Sequence, residues 1–283
     1  MNKTLERFLR YARMDTTSNM FAVGTPSSAS QWELARLLEQ ELRELGCERV
    51  LLDEHCNVYG LVPANTEGQP SIALIAHLDT ADAVPGRHFK PRVVRYEGED
   101  ILLNEELGIK LSAKDFPGLQ QYLGKELVVT DGTTVLGGDD KAGIAEIMAA
   151  GETLLASPDI PHGDVWLVFT PDEEIGGGAE YLNLDYINAD FGYTVDGGAL
   201  NEIEFENFNA ASARVVVNGR NIHPGYAKGK MINAGKVAMQ FHLLLPKEQT
   251  PELTEGYEGF FHLQNIQGNE ENAVLEYIIR DHD

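Results

Sequence analysis

The chain has 283 residues, of which 43% are hydrophobic and 24% are charged. This composition is ordinary for a globular protein and excludes a wholly disordered or collagen-like chain. The 45 acidic and 22 basic side chains give a formal net charge of −23. So acidic a surface repels phosphate backbones and anionic lipids, and we expect neither nucleic acid nor a membrane as a partner.

The cysteines and the N-terminal segment predict a cytoplasmic protein. Cys47 and Cys56 can form at most one bridge, which is too few for a disulfide framework. The segment MNKTLERFLRYARMD is charged throughout and lacks the apolar stretch of a signal peptide. No apolar run approaches the roughly 18 residues that a membrane span requires. The length fits one large domain or two modest ones.

The first part of the chain predicts two helices and then a series of strands. Apolar residues follow helical spacing over 4–13 and again after Ser30, until Gly46 ends the second helix. Ser30 and Glu33 match the pattern of a capping box at the start of that helix. Strands are predicted in VLLDEHCNVYGLVPA, SIALIAHLDT, ELVVTDG, VWLVFTPDEE and FGYTVDGG, and a helix in KAGIAEIMAAGETLLAS.

Apolar strands that alternate with helices indicate an α/β fold whose sheet is covered on both faces. The polar segment 81–125 is predicted to be a long irregular excursion between strands. From about residue 207 the pattern becomes β-α-β-β, with the elements ASARVVVNG, NAGKVAMQFHLLL, GFFHLQNIQG and NAVLEYIIRD. We therefore predict a larger α/β domain over 1–206, which would carry any active site at the ends of its strands, and a smaller α+β domain over 207–283.

Side chains that bind hard metal ions follow the apolar stretches at four places. These are His77/Asp79, Asp139/Asp140, Glu173/Glu174 and Asp196. In open α/β sheets, sites form at the carboxyl ends of the strands, so we expect the four groups to converge. Carboxylates packed together repel one another unless cations lie between them. One imidazole with several carboxylates suits zinc, manganese or cobalt.

Each group taken alone also fits a simpler role. The His-x-Asp pair fits a surface ion pair, and Asp139-Asp140 fits a helix cap. Glu173-Glu174 fits a solvated loop, and Asp196-Gly197-Gly198 fits a turn. Their shared position after strands favours one common site over four unrelated features.

Several stretches resemble one known family. They are AHLDT, LGGDDKAGIAEIM, IPHGD, FTPDEEIGGGA, YTVDGG, EFENFNAAS, HPGYAKG and TEGYEGF. They resemble the peptidase T family of tripeptide aminopeptidases, which belongs with the di-zinc peptidases related to aminoacylase and the glutamate carboxypeptidases. The resemblance covers the whole chain. It implies a zinc-peptidase catalytic domain with a mixed sheet between helices, and an incomplete, ferredoxin-like α+β lid domain that forms a homodimer.

The resemblance also implies a set of metal ligands for two zinc ions. His77 and Asp196 match ligands of the first zinc, and Asp139 matches the carboxylate that bridges both ions. Glu174 matches a ligand of the second zinc. Family members continue beyond the position of Asp283 and carry a further histidine ligand there. We therefore expect a C-terminally truncated chain whose second zinc site lacks one ligand.

Other residues match groups that act on the substrate or on a ligand. Glu173 matches the general base, and Asp79 matches the acid that hydrogen-bonds and orients the ligand histidine. Asp140 is then expected to cap the helix that follows it. His223 matches a lid histidine that steadies the reacting carbonyl, and Arg280 matches a basic lid residue that binds the substrate carboxylate. A buried or surface histidine and a surface strand arginine are the alternatives.

The implied function is zinc-dependent hydrolysis of the N-terminal peptide bond of tripeptides. The protein would be a cytoplasmic metallo-aminopeptidase with short peptides as substrates. Two alternatives stay open at this point. One is an inactive truncated fragment that binds a single metal ion. The other is a related dipeptidase, deacylase or carboxypeptidase.

Overall fold

The computed structural model describes residues 2–84, 88–198 and 202–283. It divides the chain into two units, Met1–Ala199 and Leu200–Asp283. The boundary that we predicted after residue 206 lies inside the second of these units.

A mixed five-stranded sheet forms the centre of the first unit. The strands of this unit are β1 (Glu48–Leu52), β2 (Val58–Val62), β3 (Ile72–His77), β4 (Arg92–Arg95), β5 (Ile101–Asn104), β6 (Ile109–Leu111), β7 (Glu126–Val129), β8 (Val165–Thr170) and β9 (Phe191–Thr194). The central sheet has the order β1-β2-β8-β3-β9. Strand β3 is parallel to both β8 and β9, whereas β2 is antiparallel to its neighbours. The predicted α/β class is confirmed.

Helices cover the sheet. They are α1 (Lys3–Tyr11), α2 (Gln31–Leu45), α3 (Gly138–Ala156) and α4 (Leu184–Ile187). Apolar side chains of the first three pack with one face of the sheet, and Ile187 of α4 packs with Tyr59 and Trp166 on the other. Every residue of β2 and β8 is buried as a result. This explains why both strands are almost continuously apolar in sequence.

The excursion over 81–125 is more regular than we predicted. Strand β4 pairs with β7, and β5 pairs with β6, so the segment contributes to two small antiparallel sheets. Strand β7 corresponds to the predicted strand ELVVTDG, but β4, β5 and β6 were not predicted and have only three or four residues each. So short a strand shows too few alternations to be recognised by periodicity. The prediction of an irregular segment was therefore wrong for these residues.

The predictions for the two ends of α2 had different outcomes. Gly46 ends the helix as predicted, with a left-handed φ of 91° that glycine adopts without strain. The predicted capping box is wrong, because Ser30 has helical backbone angles and its side chain makes no cap hydrogen bond. Its hydroxyl lies 3.3 Å from that of Ser28 instead.

The second unit has the predicted order of one strand, one helix and two strands. Its elements are β10 (Asn209–Asn218), α5 (Ala234–His242), β11 (Phe260–Gly268) and β12 (Asn272–Asp281). The strands form an antiparallel sheet with β12 in the middle. Ala234 and Ala238 of α5 pack with Leu275 and Tyr277 of β12. No helix in the described part of the chain is both long and apolar enough to span a membrane.

Candidate metal centre

His77 is the last residue of β3, and its side chain is almost fully buried. Its Nδ1 lies 3.0 Å from the backbone carbonyl oxygen of Asp79. A carbonyl oxygen can only accept, so Nδ1 carries a proton and donates it. The hydrogen bond fixes the orientation of the ring and leaves Nε2 directed at the acidic groups around it.

Three side chains bring ligand atoms together at the end of β3. His77, Asp139 and Asp196 each offer one atom, and these atoms lie within 4.8 Å of one another. His77 Nε2 is 2.8 Å from Asp139 Oδ1 and 3.8 Å from Asp196 Oδ2. Ligand atoms at about 2.1 Å from a tetrahedral zinc ion lie about 3.4 Å from one another. The observed distances lie on both sides of that value, so the three residues fit one divalent cation.

The segment that carries Asp139 is held by its neighbour. Asp140 is buried, and its Oδ1 accepts a hydrogen bond from the Gly143 backbone N at 3.1 Å. The expectation that Asp140 caps the helical residues after it is confirmed. Its Oδ2 accepts from the His77 backbone N at 3.2 Å, which we did not predict. One buried carboxylate therefore joins the start of the helix to the end of β3.

Glu173 and Glu174 follow β8 in a short turn that Asp79 supports. Asp79 Oδ1 accepts from the Glu173 backbone N at 2.9 Å, and Oδ2 accepts from the Glu174 backbone N at 3.2 Å. Asp79 Oδ1 is also 3.2 Å from His77 Nδ1. The side chain of Glu173 points to the same centre, because its Oε2 lies 3.9 Å from His77 Nε2.

The Glu174 carboxylate stands apart from the ligand group. Among the described residues, the group of ligand atoms within 4.8 Å holds His77, Asp139 and Asp196 alone. Glu174 is close enough to Asp139 for the two charges to interact. The structure thus brings one three-residue ligand group together and leaves the fourth predicted ligand beside it.

The acidic side chains at the centre lie close enough together to raise one another's pKa values. Burial raises the pKa of Glu173, Glu174 and Asp196, and the charge of Asp139 raises all three further. Burial lowers the pKa of His77, but Asp79 and the other acids around the ring outweigh this and raise it to about 10. A bound cation would relieve the repulsion between the carboxylates and replace the imidazole proton.

Lys141 is a buried residue at this centre to which we had assigned no role. Its Nζ donates to the backbone carbonyl of Met14 at 2.6 Å and lies 5.2 Å from the centre of the Phe89 ring. Burial lowers its pKa to about 7. The only sequence signal was its place after two acids at the start of a helix. It attaches the segment after α1 to the helix that carries Asp139.

Three more buried or half-buried residues, Ser27, Gln31 and Asp172, support the turn before Glu173. Asp172 was visible in sequence as an acid after a strand, but nothing local connected it with the other two. Ser27 contacts it from the loop before α2, and Gln31 from the first residue of that helix.

His223 and Arg280 belong to the second unit. His223 precedes a short turn, and its Nδ1 accepts from the Gly225 backbone N at 3.1 Å. Arg280 lies on β12, where its guanidinium donates to the Ile279 carbonyl and lies 5.5 Å from the Phe208 ring centre. Their roles toward a substrate stay predictions.

Comparison with known proteins identifies relatives along the whole chain. Residues 205–283 match the family model described as a peptidase dimerisation domain. Peptidase T from Bacillus licheniformis is 51% identical over 284 residues, which cover 100% of this chain and 69% of that protein. Peptidase T from Desulfitobacterium hafniense is 54% identical over 283 residues, which cover 99% of this chain and 69% of that protein.

Solved structures share the fold. The crystal structure of aminopeptidase PepT from Bacillus cereus superposes with a TM-score of 0.71 at 24% identity, and covers 99% of this chain and 66% of that chain. A metallo-carboxypeptidase of the M20 family from Sulfolobus solfataricus gives a TM-score of 0.64 at 12% identity, with 99% of this chain and 71% of that chain covered.

Proposed function

The chain belongs to the peptidase T family, and from this premise we propose that it is a metal-dependent aminopeptidase that hydrolyses the N-terminal peptide bond of tripeptides. One observation carries the proposal. A histidine and two aspartates offer ligand atoms within 4.8 Å of one another, and the carboxylate of Glu173 lies beside them with no ligand role of its own.

We propose zinc as the metal and two ions as the full complement. An imidazole with carboxylates is a common donor set for catalytic zinc. His77, Asp139 and Asp196 would hold one ion, and Asp139 and Glu174 would contribute to the other. A bound zinc pair supplies a Lewis acid for the peptide carbonyl and a water of lowered pKa.

Glu173 is the proposed general base. Burial raises its pKa above the ordinary value of a glutamate, which is the direction that suits a carboxylate that takes up and releases a proton. Its side chain is 57% exposed, so it can reach an attacking water and a peptide. We propose that Glu173 takes the proton of that water and then gives it to the leaving amine.

The second unit supplies the proposed substrate contacts. His223 would donate to the developing oxyanion of the reacting carbonyl. Arg280 would bind the substrate carboxylate through its forked guanidinium donors. The match of residues 205–283 to a dimerisation domain supports a homodimer formed through this unit.

A reducing compartment, the cytoplasm, is proposed from the cysteines. Cys47 and Cys56 are both free thiols. Burial raises their pKa values to about 11 and about 12, so neither is a reactive thiolate at neutral pH. Two unpaired, inert thiols are typical of proteins that stay reduced.

The test is cleavage of an unblocked tripeptide with and without added zinc. Glu173→Gln should lower kcat by about 10²–10⁴-fold, because it removes the base and leaves the ligand group intact. Glu180→Gln is the matched control, since Glu180 is exposed in the next short turn of the chain. An N-acetylated tripeptide should resist cleavage. Turnover by Glu173→Gln at the wild-type rate would contradict the proposal.

A chain that binds one metal ion and has no peptidase activity is the second candidate. It is favoured by the position of Glu174 outside the ligand group of the described residues. It predicts one zinc ion per chain by metal analysis and no turnover of any peptide. Cleavage of dipeptides or N-acyl amino acids in preference to tripeptides would instead point to the related dipeptidases and deacylases.

A further inference from the structure

The turn that carries Glu173 and Glu174 begins at a residue in an unusual conformation. Asp172 has a φ of 60°, in the left-handed region that residues other than glycine rarely adopt. It is also 1% exposed. Such a conformation persists only where the surroundings hold it, and it sets the direction in which the chain leaves β8.

A set of hydrogen bonds from the first residue of α2 and from the loop that precedes it holds Asp172. Its Oδ2 accepts from the Ser27 backbone N at 2.7 Å, and its Oδ1 accepts from the Ser27 hydroxyl. Its Oδ1 also accepts from Gln31 Nε2 at 2.7 Å. Gln31 Oε1 in turn accepts from the Asp172 backbone N at 3.3 Å. The fully buried amide of Gln31 thus contacts both the side chain and the backbone of Asp172.

The next two residues are held from the opposite direction. Asp79 accepts from the backbone N of Glu173 and of Glu174. The turn therefore has two supports, one from the end of β3 and one from the start of α2 and the loop before it. The Asp79 support also contacts His77, whereas the hydrogen bonds of Ser27 and Gln31 within the described residues reach neither a proposed ligand nor a reacting group.

We propose that Gln31 and Ser27 are positioning residues that act through Asp172 on the direction of the Glu173 base and the Glu174 carboxylate. The inference rests on the proposed function for its effect on turnover. Its effect on the turn itself is independent of turnover. Without the Gln31 amide, the Asp172 carboxylate loses one donor and its backbone N loses its acceptor, so the left-handed turn is free to relax.

Gln31→Leu tests this, because leucine fills a similar volume and makes neither hydrogen bond. Gln40→Leu is the matched control, since Gln40 lies on the exposed face of the same helix. The first readout is hydrogen exchange of residues 171–178 in chelator-treated protein. We expect roughly tenfold faster exchange at the Glu173 and Glu174 amides in Gln31→Leu, with α3 and β8 unchanged, and no change in Gln40→Leu.

The second readout is the tripeptidase reaction. Gln31→Leu should lower kcat by about 10–100-fold with KM changed by less than about threefold, as expected for residues that orient a catalytic group. If wild-type protein does not cleave tripeptides, the proposed function fails and the exchange result alone decides the inference. Ser27→Ala removes one donor and should give the same local pattern with a smaller increase, which covers failure of Gln31→Leu to fold.

Two results would overturn the inference. One is that the Glu173 and Glu174 amides of the Gln31→Leu variant exchange hydrogen at the wild-type rate. The other is equal acceleration across the turn, α3 and β8, because that pattern indicates a general structural role for Gln31 and not a local positioning role.

Discussion

Gly143→Ala tests how the ligand group is supported, because the structure leaves no room for a methyl group there. A Cβ at this position would lie 2.0 Å from the carbonyl oxygen of Val195 and 2.3 Å from Asp140 Oδ1. Nonbonded heavy atoms contact at about 3.5 Å. Both neighbours, or the helix itself, must therefore move by about 1 Å or more.

The two displaced groups both lead to proposed metal ligands. Val195 immediately precedes Asp196, and its backbone N donates to the Ile75 carbonyl at 2.8 Å. Asp140 accepts from the backbone N of His77. We expect Gly143→Ala to weaken divalent-cation binding by about 10²-fold, the cost of a 1 Å misplacement in a well-oriented site. Overpacking should lower the free energy of unfolding by about 1–3 kcal/mol, partly offset by the higher helix propensity of alanine.

The assay is a Co²⁺ titration followed by absorbance, together with urea unfolding of the metal-free protein. Gly118→Ala is the matched control, because a Cβ at Gly118 would meet no heavy atom within 4 Å. We expect its metal affinity to be unchanged and its stability to stay within about 0.5 kcal/mol of wild type. Cobalt binding by Gly143→Ala at wild-type affinity would refute the idea that close packing against this glycine places the ligands.

Two further predictions concern metal removal and acid pH. Chelation should lower the thermal unfolding midpoint, because a cation present at 100 times its Kd stabilises the folded protein by about 2.7 kcal/mol. For a unit of this size that free energy corresponds to a shift of about 5–11 °C. An unchanged midpoint, or an equal shift on chelation in the His77→Ala variant, would contradict this prediction. Hydrogen bonds from Lys90 and Thr133 lower the pKa of Asp131 from 3.8 to about 2. The ionised Asp131 therefore contributes fully to the free energy of unfolding above pH 3.8, and this contribution is lost as the pH falls through about 2. Solvent screens the exposed Lys90, so we expect the contribution to be small. By urea unfolding, the free energy of unfolding of Asp131→Asn should be about 1 kcal/mol below that of wild type at pH 7, and the difference should fall to about half at pH 3. Equal differences at both pH values would contradict this.

Convergence of the acids at one end of the sheet could be predicted because it depends on a local rule. An apolar run that ends abruptly in a histidine or an acid marks the carboxyl end of a buried strand. Strands β3, β8 and β9 are parallel neighbours, so their carboxyl ends lie side by side. His77 is the last residue of β3, and Glu173 and Asp196 lie within three residues of the ends of β8 and β9.

The supports of the site could not be predicted because they join residues far apart in sequence. Gln31 and Asp172 are separated by 141 positions, and periodicity describes only neighbours along one element. The failed capping box at Ser30 shows the same limit. Its pattern was correct for a helix start, but the side chains there bind Asp172 and one another instead of the helix N-terminus.

Burial separates the predicted ligand from the support within the Asp139-Asp140 pair. The Asp139 side chain is 65% exposed and contributes a ligand atom, whereas its neighbour Asp140 is 1% exposed and binds backbone N–H groups. Asp79 and Asp172 are equally buried and also accept backbone N–H groups. A buried carboxylate without such donors is costly, so these three acids are each held by several hydrogen bonds. The Asp139-Asp140 pair therefore divides into one member that faces the centre and one that joins separate segments of the chain, and we expect replacement of Asp140 to displace both His77, whose backbone N–H it binds, and the adjacent Asp139.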